Sequence, residues 1–381
     1  MRPILIVAPL ALPILLAACT SEPEPDRKPA TQQAADSSGA DSMASDDPQP
    51  GEMARTPIVD SDTRPIMQQQ VVLERLGFGP GVIDGAEGLS TANAISGFQE
   101  SRSLTVTGEL DGATRQALSR WDNIPATRIV TIPEAWASYA YAPIPEGAEQ
   151  QAAMERLGYE TLAERLAERF HTTPEVLAML NPGGRPADAN TASASGEPSS
   201  PVAFAVGQQV RVPNVGADRI NAADIDNAAW LDTMRSLGVG SEQPAVARMV
   251  VDKSGGWLKA YDDADKLVAM FTVTTGSSND PLPLGEWGIN GVGYNPPFAY
   301  DPDLFWDVPD SEESQQLPPG PNGPVGVVWI DLTKEHYGIH GTPDPETIGR
   351  AQSHGCVRLT NWDAARLAEM VSGSTEVLFQ E

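Results

Sequence analysis

The sequence predicts a multidomain chain: a small three-helix α domain, an α+β segment, and a mainly β domain on the C-terminal side. Three observations carry this expectation. Apolar residues recur at helical spacing around repeated glycine turns in residues 63–121. An amphipathic helical run and a short valine strand share residues 122–215. From residue 245 the texture changes to alternating strands joined by long Pro/Gly-rich loops. A length of 381 residues leaves room for two or three domains.

Residues 1–19 start with Arg2, run through an apolar stretch and end in Leu16-Ala17-Ala18-Cys19. A basic start, a short apolar core and small residues before a cleavage point describe an export signal. Pro3, Pro9 and Pro13 oppose a membrane-spanning helix. The L-A-A-C ending resembles the bacterial lipoprotein signal, which implies lipidation at Cys19 and anchoring in the cell envelope, facing the periplasm. Thr20, where some bacteria read an inner-membrane retention Asp, points to the outer membrane. Residues 20–62 are an acidic Pro/Ser/Ala linker with too few large apolar residues to fold. The net charge of −27 excludes nucleic-acid binding, which needs clustered Lys and Arg. Membrane contact is expected only through the lipid.

In residues 63–121, Ile66, Val72, Leu73 and Leu76 share a helix face that stops at Gly77. Two related units follow, Gly88-Leu89-Ser90-Thr91 and Leu110-Asp111-Gly112-Ala113-Thr114, each a turn with a threonine near a helix start. With Asp84-Gly85 and Phe98-Gln99 the pattern resembles the three-helix peptidoglycan-binding domain, which implies peptidoglycan as a partner. In residues 122–215, Leu162, Leu166 and Phe170 stack on one helix face and Thr173-Pro174 opens a second helix. A low-complexity insertion (183–201) precedes Val206-Gly207-Gln208-Gln209-Val210-Arg211-Val212-Pro213. This layout resembles a LysM glycan-binding module without its opening strand, and a structural spacer is the competing reading.

Residues 245–381 read as strands at Val246–Asp252, Trp257–Tyr261, Lys266–Thr275, Trp287–Val292 and Val325–Asp331. A helix over Trp362–Val371 and a strand over Glu376–Phe379 close the chain. The loop 293–324 is long enough to be a lid.

The chemistry concentrates between His336 and Arg358. The window holds three of the four histidines and Cys356, the only cysteine besides Cys19. A lone mature thiol cannot form an intramolecular disulfide and reads as a nucleophile, which needs a base to become thiolate. His354 and His340 are both available as that base. Gly355 lets backbone approach a substrate, N–H groups near Gly355 and Cys356 suit an oxyanion, and Arg358 suits a carboxylate. A zinc site from His336, His340, His354 and Cys356 is chemically acceptable but leaves Gly355 and Arg358 unexplained. A papain-like order of cysteine before histidine is reversed here, and S-H-G-C is too polar for a merely buried thiol. The residues alone support a cysteine acyl transferase or hydrolase.

Tyr337-Gly338-Ile339-His340-Gly341-Thr342 followed by Ser353-His354-Gly355-Cys356-Val357-Arg358 resembles the signature of the L,D-transpeptidase catalytic domain. The likeness extends over 246–380, with Leu282 standing where many members carry Thr. It implies a mixed β-sandwich, no cofactor and no metal. It further implies Cys356 as nucleophile, His340 as proton donor and acceptor, and the Gly341 carbonyl as the group that orients the base. Ser353, His354, Gly355 and Arg358 would complete the site, and His336 would be structural. The implied reaction is acyl transfer from peptidoglycan stem peptides through a thioester, with D-alanine released and an amine or an envelope protein as acceptor. A carboxypeptidase on the same fold and a non-catalytic wall tether are the alternatives.

Overall fold

The structure is a computed structural model that describes residues 58–60, 62–188, 202–216, 219–304 and 313–381. Cys19, the export signal and most of the expected linker lie outside the described residues. The linker expectation fails at its C-terminal end. The compact unit runs Pro57–Glu381, and Asp60 accepts from Thr127 and Arg64 while the Ile58 carbonyl accepts from Arg211. Among the described residues no helix is long and apolar enough to cross a membrane.

The helical segment consists of α1 (Pro65–Arg75), α2 (Leu89–Ser101) and α3 (Gly112–Leu118). Its two sequence repeats share one physical device, a buried glutamine from the preceding helix that ties each turn. Gln70 accepts from the Gly85 N–H and donates to Thr91, while Gln99 accepts from the Gly108 N–H and donates to Thr114. The threonine near each helix start is thus the glutamine's partner. Asp111 caps α3, and α2 has no side-chain cap. After α1, Gly77 at φ +95° turns the chain, a backbone region open to glycine. Its carbonyl and the Gly79 N–H then pair with Met270. Val72, Phe78, Ile95 and Phe98 share a core with Leu267 and Met270 of the β domain.

The next segment runs β1 (Thr127–Thr131), α4 (Ala148–Ala152), α5 (Leu162–Arg169), α6 (Pro174–Leu180) and β2 (Gln209–Pro213). Thr161 closes a capping box on α5 and Thr173 caps α6. β1 and β2 pair antiparallel, so an opening strand is present where the sequence showed none. α7 (Ala228–Leu237), also unforeseen, leads into the β domain and is capped by Asn227.

The β domain contains β3 (Arg248–Asp252), β4 (Trp257–Tyr261), β5 (Leu267–Thr272), β6 (Gly285–Trp287), β7 (Ile289–Tyr294), β8 (Phe298–Tyr300), β9 (Gln315–Leu317), β10 (Val328–Leu332), β11 (Gly338–His340), β12 (Val357–Arg358), α8 (Asn361–Ala368) and β13 (Glu376–Gln380). One sheet has the order β5-β4-β3-β13-β6 and the other β12-β11-β10-β7. β3 and β13 run parallel, as do β11 and β12. The expected strand 287–292 divides into β6 and β7, which belong to different sheets. Part of the expected lid forms the hairpin β8–β9. Phe271 and Phe379 from one sheet, Ile330 and Ile339 from the other, and Trp362 of α8 share one core.

A buried joint links all three segments. His171, two residues after α5, lies between Glu74 of α1 at 3.5 Å and Asp363 of α8 at 3.6 Å. Arg366 pairs with Glu74 at 2.9 Å, and Trp362 stacks on the imidazole. Two carboxylates, one guanidinium and a protonated imidazole balance in charge, which a dry interior requires. His171 sits at φ +48°, a costly conformation for a residue with a Cβ.

Candidate active site

β11 carries the His340 imidazole, and the Cys356 thiol sits just ahead of β12. The two strands run side by side with Ile339 opposite Val357 and His340 opposite Arg358. Cys356, one residue before β12, therefore lies near the start of β11. Its Sγ is 3.8 Å from the His336 carbonyl and faces the Gly338 N–H. The far side of β12 is fixed by Thr274, which exchanges backbone hydrogen bonds of 3.0 and 2.8 Å with Arg358. Ser353 is buried and its hydroxyl donates to the Cys356 carbonyl at 2.6 Å.

His340 is buried, and its Nδ1 meets the Gly341 carbonyl at 2.7 Å. A carbonyl only accepts, so this contact holds the proton of the neutral ring on Nδ1 and leaves Nε2 a lone-pair base. Trp329, opposite His340 on β10, stacks on the ring with centroids 5.4 Å apart. Burial, then the Arg358 charge, lowers the His340 pKa to about 4, with the Gly341 contact opposing. Burial raises the Cys356 thiol above its ordinary value, with the Gly338 N–H and Arg358 opposing. Both shifts favour the uncharged forms, a protonated thiol and a neutral imidazole.

Gly355 has φ +100°, and a Cβ there would sit 2.7 Å from the Tyr337 ring. His354 is half-buried beside it. Arg358 is half-buried; burial lowers its pKa, while Cys356 and Asp344 oppose. Among the described residues its Nε has no hydrogen-bond partner. The His336 side chain is exposed toward Glu335, while its backbone at φ +66° presents the carbonyl to the thiol. A cleft of 610 Å³ adjoins the loop after Gly341, with Glu160, Glu164, Glu168, Asp344 and Glu346 among its walls.

This sequence matches the family model described as the L,D-transpeptidase catalytic domain over residues 247–378. The chain carries an L,D-transpeptidase catalytic domain. Residues 64–118 match the model of a peptidoglycan binding domain. A protein of Bacillus licheniformis named as an L,D-transpeptidase, YkuD, is 28% identical over 218 residues, covering 57% of this chain and 92% of that protein. Its Bacillus subtilis namesake is 51% identical over 57 residues, covering 15% of this chain and 35% of that protein. The crystal structure of L,D-transpeptidase 3 from Mycobacterium tuberculosis in complex with a faropenem-derived adduct aligns at 19% identity and a TM-score of 0.30, covering 36% of this chain and 61% of that one. The chain is thus an enzyme of the transpeptidase class with a wall-binding domain.

Three supports of the transpeptidase site escaped sequence reading. Trp329 reaches His340 only through the β10–β11 register. The Gly338 N–H reaches the thiol through the β11–β12 pairing. Asn361 lies over Gly341, where a Cβ would come 2.2 Å from its Oδ1. The N-W-D-A run signalled a helix start at that point but gave no hint of this contact.

Proposed function

We propose that Cys356 attacks the carbonyl between the third residue of a peptidoglycan stem and its terminal D-alanine, forming a thioester and releasing D-alanine. The observation that carries this reading is the His340 ring, tied at Nδ1 by the Gly341 carbonyl beside the strand that bears Cys356. In this reading His340 takes the thiol proton through Nε2 and returns it to the leaving amine, conserving protons over the acylation step. The unpartnered Arg358 Nε supports a role in holding a stem carboxylate, and Ser353, His354 and Gly355 shape the thiol loop. An amine acceptor then resolves the thioester and regenerates the thiol. The acidic cleft beside the loop supports a cationic acceptor, either a neighbouring stem or a lysine of an envelope protein. The L-A-A-C sequence supports lipidation at Cys19 and a site facing the periplasm, with residues 122–215 as a glycan-binding module.

Incubation with tetrapeptide stems tests the reading by mass spectrometry. D-alanine release and a stem adduct on the intact protein are expected, both lost in Cys356→Ala. Sacculus binding without release or adduct would leave only the tether.

A further inference from the structure

Residues 122–215 contribute more to the transpeptidase than a position along the chain. The end of α5 packs on the strand-to-helix turn that follows β12. There Glu168 Oε1 accepts from Asn361 Nδ2 at 2.7 Å, and the Pro321 carbonyl accepts from the same Nδ2 at 2.9 Å. Glu168 is itself held by the Tyr159 hydroxyl, which donates to Oε2. With its amide nitrogen fixed, Asn361 turns Oδ1 toward the site, where it accepts from the Val327 N–H at 3.1 Å. That oxygen also lies against the α-carbons of Gly326 and Gly341, too close at either for a Cβ. Gly341 in turn presents the carbonyl that meets His340 Nδ1.

We propose that Glu168 is a positioning residue for acyl transfer, acting through Asn361 on the Gly341 carbonyl and so on the orientation of the His340 ring. An amide has two orientations, and the one seen needs an acceptor at Nδ2 and a donor at Oδ1. Glu168 supplies one half of that demand from a separate segment of the chain, and the Val327 N–H supplies the other. Without Glu168 the amide keeps only the Pro321 carbonyl at Nδ2 and is less firmly held against Gly341. A base displaced by about 1 Å costs roughly 10²-fold in rate. The same short stretch grips the turn a second time, because His171 Nε2 lies 3.1 Å from Thr360 Oγ1. The loop base is also fastened, with Asn322 donating to Glu164 at 2.7 Å and to the Gly158 carbonyl at 3.0 Å. Segment 157–171 thus forms one wall of the support behind the base.

This inference rests on the reading of Cys356 and His340 as the reacting pair, and the experiment separates the two. In the full chain, Glu168→Ala should lower kcat for D-alanine release from a tetrapeptide stem by at least ~10-fold, with KM within ~2-fold. Glu168→Gln keeps an acceptor for Asn361 Nδ2 and should recover most of that loss. Alkylation of Cys356 by iodoacetamide at neutral pH, which needs the base but no stem binding, should slow in Glu168→Ala and recover in Glu168→Gln. If Glu168→Ala does not fold, Glu168→Asp withdraws the acceptor by one methylene and should show the same kcat loss in weaker form. Wild-type kcat in Glu168→Ala, or an equal loss in Glu168→Gln, overturns the positioning role. A wild-type protein with neither D-alanine release nor adduct overturns the reading of the pair itself.

Discussion

Two buried histidines of this chain share a dry environment and are shifted in opposite directions. His340 and His171 are both nearly inaccessible to solvent. Burial alone lowers an imidazole pKa because it penalises the charged form. At His340 the nearest charge is Arg358 and the only opposing contact is a neutral carbonyl, so the value falls to about 4. At His171, Asp363 and Glu74 overcome burial and hold the value above the ordinary one. The neighbours therefore decide what each ring does. One is drawn toward the neutral form near the thiol strand, and the other toward the charged form in a joint between three segments.

The largest effect that sharpens this contrast is on rate. His340→Gln should lower kcat/KM for stem acylation by roughly 10²–10⁴-fold, the usual worth of a general base, with the urea midpoint almost unchanged. His171→Gln should do the reverse. It leaves the buried Glu74 and Asp363 carboxylates with only the Arg366 guanidinium and should cost about 3 kcal/mol of stability by chemical denaturation, with kcat within a few-fold while the protein is folded. Equal effects of both substitutions on rate would break the comparison.

The two rings should also tilt stability against pH in opposite senses. His171 has a folded pKa raised above the unfolded 6.5, so its contribution is complete below that value. It is lost as pH rises from 6.5 through the folded value. His340 has a folded pKa lowered to about 4, so its contribution is complete above 6.5 and is lost as pH falls toward 4. Subtracting the denaturation curves of His171→Gln and His340→Gln from wild type at several pH values should show these opposite slopes. Slopes of the same sign would contradict the assignment.

Smaller effects are expected around the thiol. Gly355→Ala meets both a left-handed backbone and the Tyr337 ring and should cost about 1–3 kcal/mol of stability, with slower acylation. His336→Ala should change stability by less than about 0.5 kcal/mol, because only its carbonyl faces the thiol and its side chain is exposed.

What the sequence revealed and what it hid divide along the range of the interactions. The strand Trp257–Tyr261 was legible to the residue, since alternation and a Gly-Gly turn are local. The helix start at Thr173-Pro174 was legible for the same reason. The string from Tyr337 to Arg358 was legible because thiol, imidazoles and glycines fall close together. β1 was hidden because its partner β2 lies beyond three helices and an insertion. The split of 287–292 between two sheets depends on register, which periodicity does not carry. The Glu168–Asn361 bond joins residues far apart in sequence, and nothing local to either residue announces it.

The most direct test of the account is the rate of Cys356 acylation by a tetrapeptide stem as a function of pH, followed by intact mass. A neutral thiol beside an imidazole of pKa about 4 predicts an acid limb near pH 4, with the rate sustained down through pH 6. An acid limb at or above 6.5 would mean that His340 is not held as the structure places it, and would contradict the account.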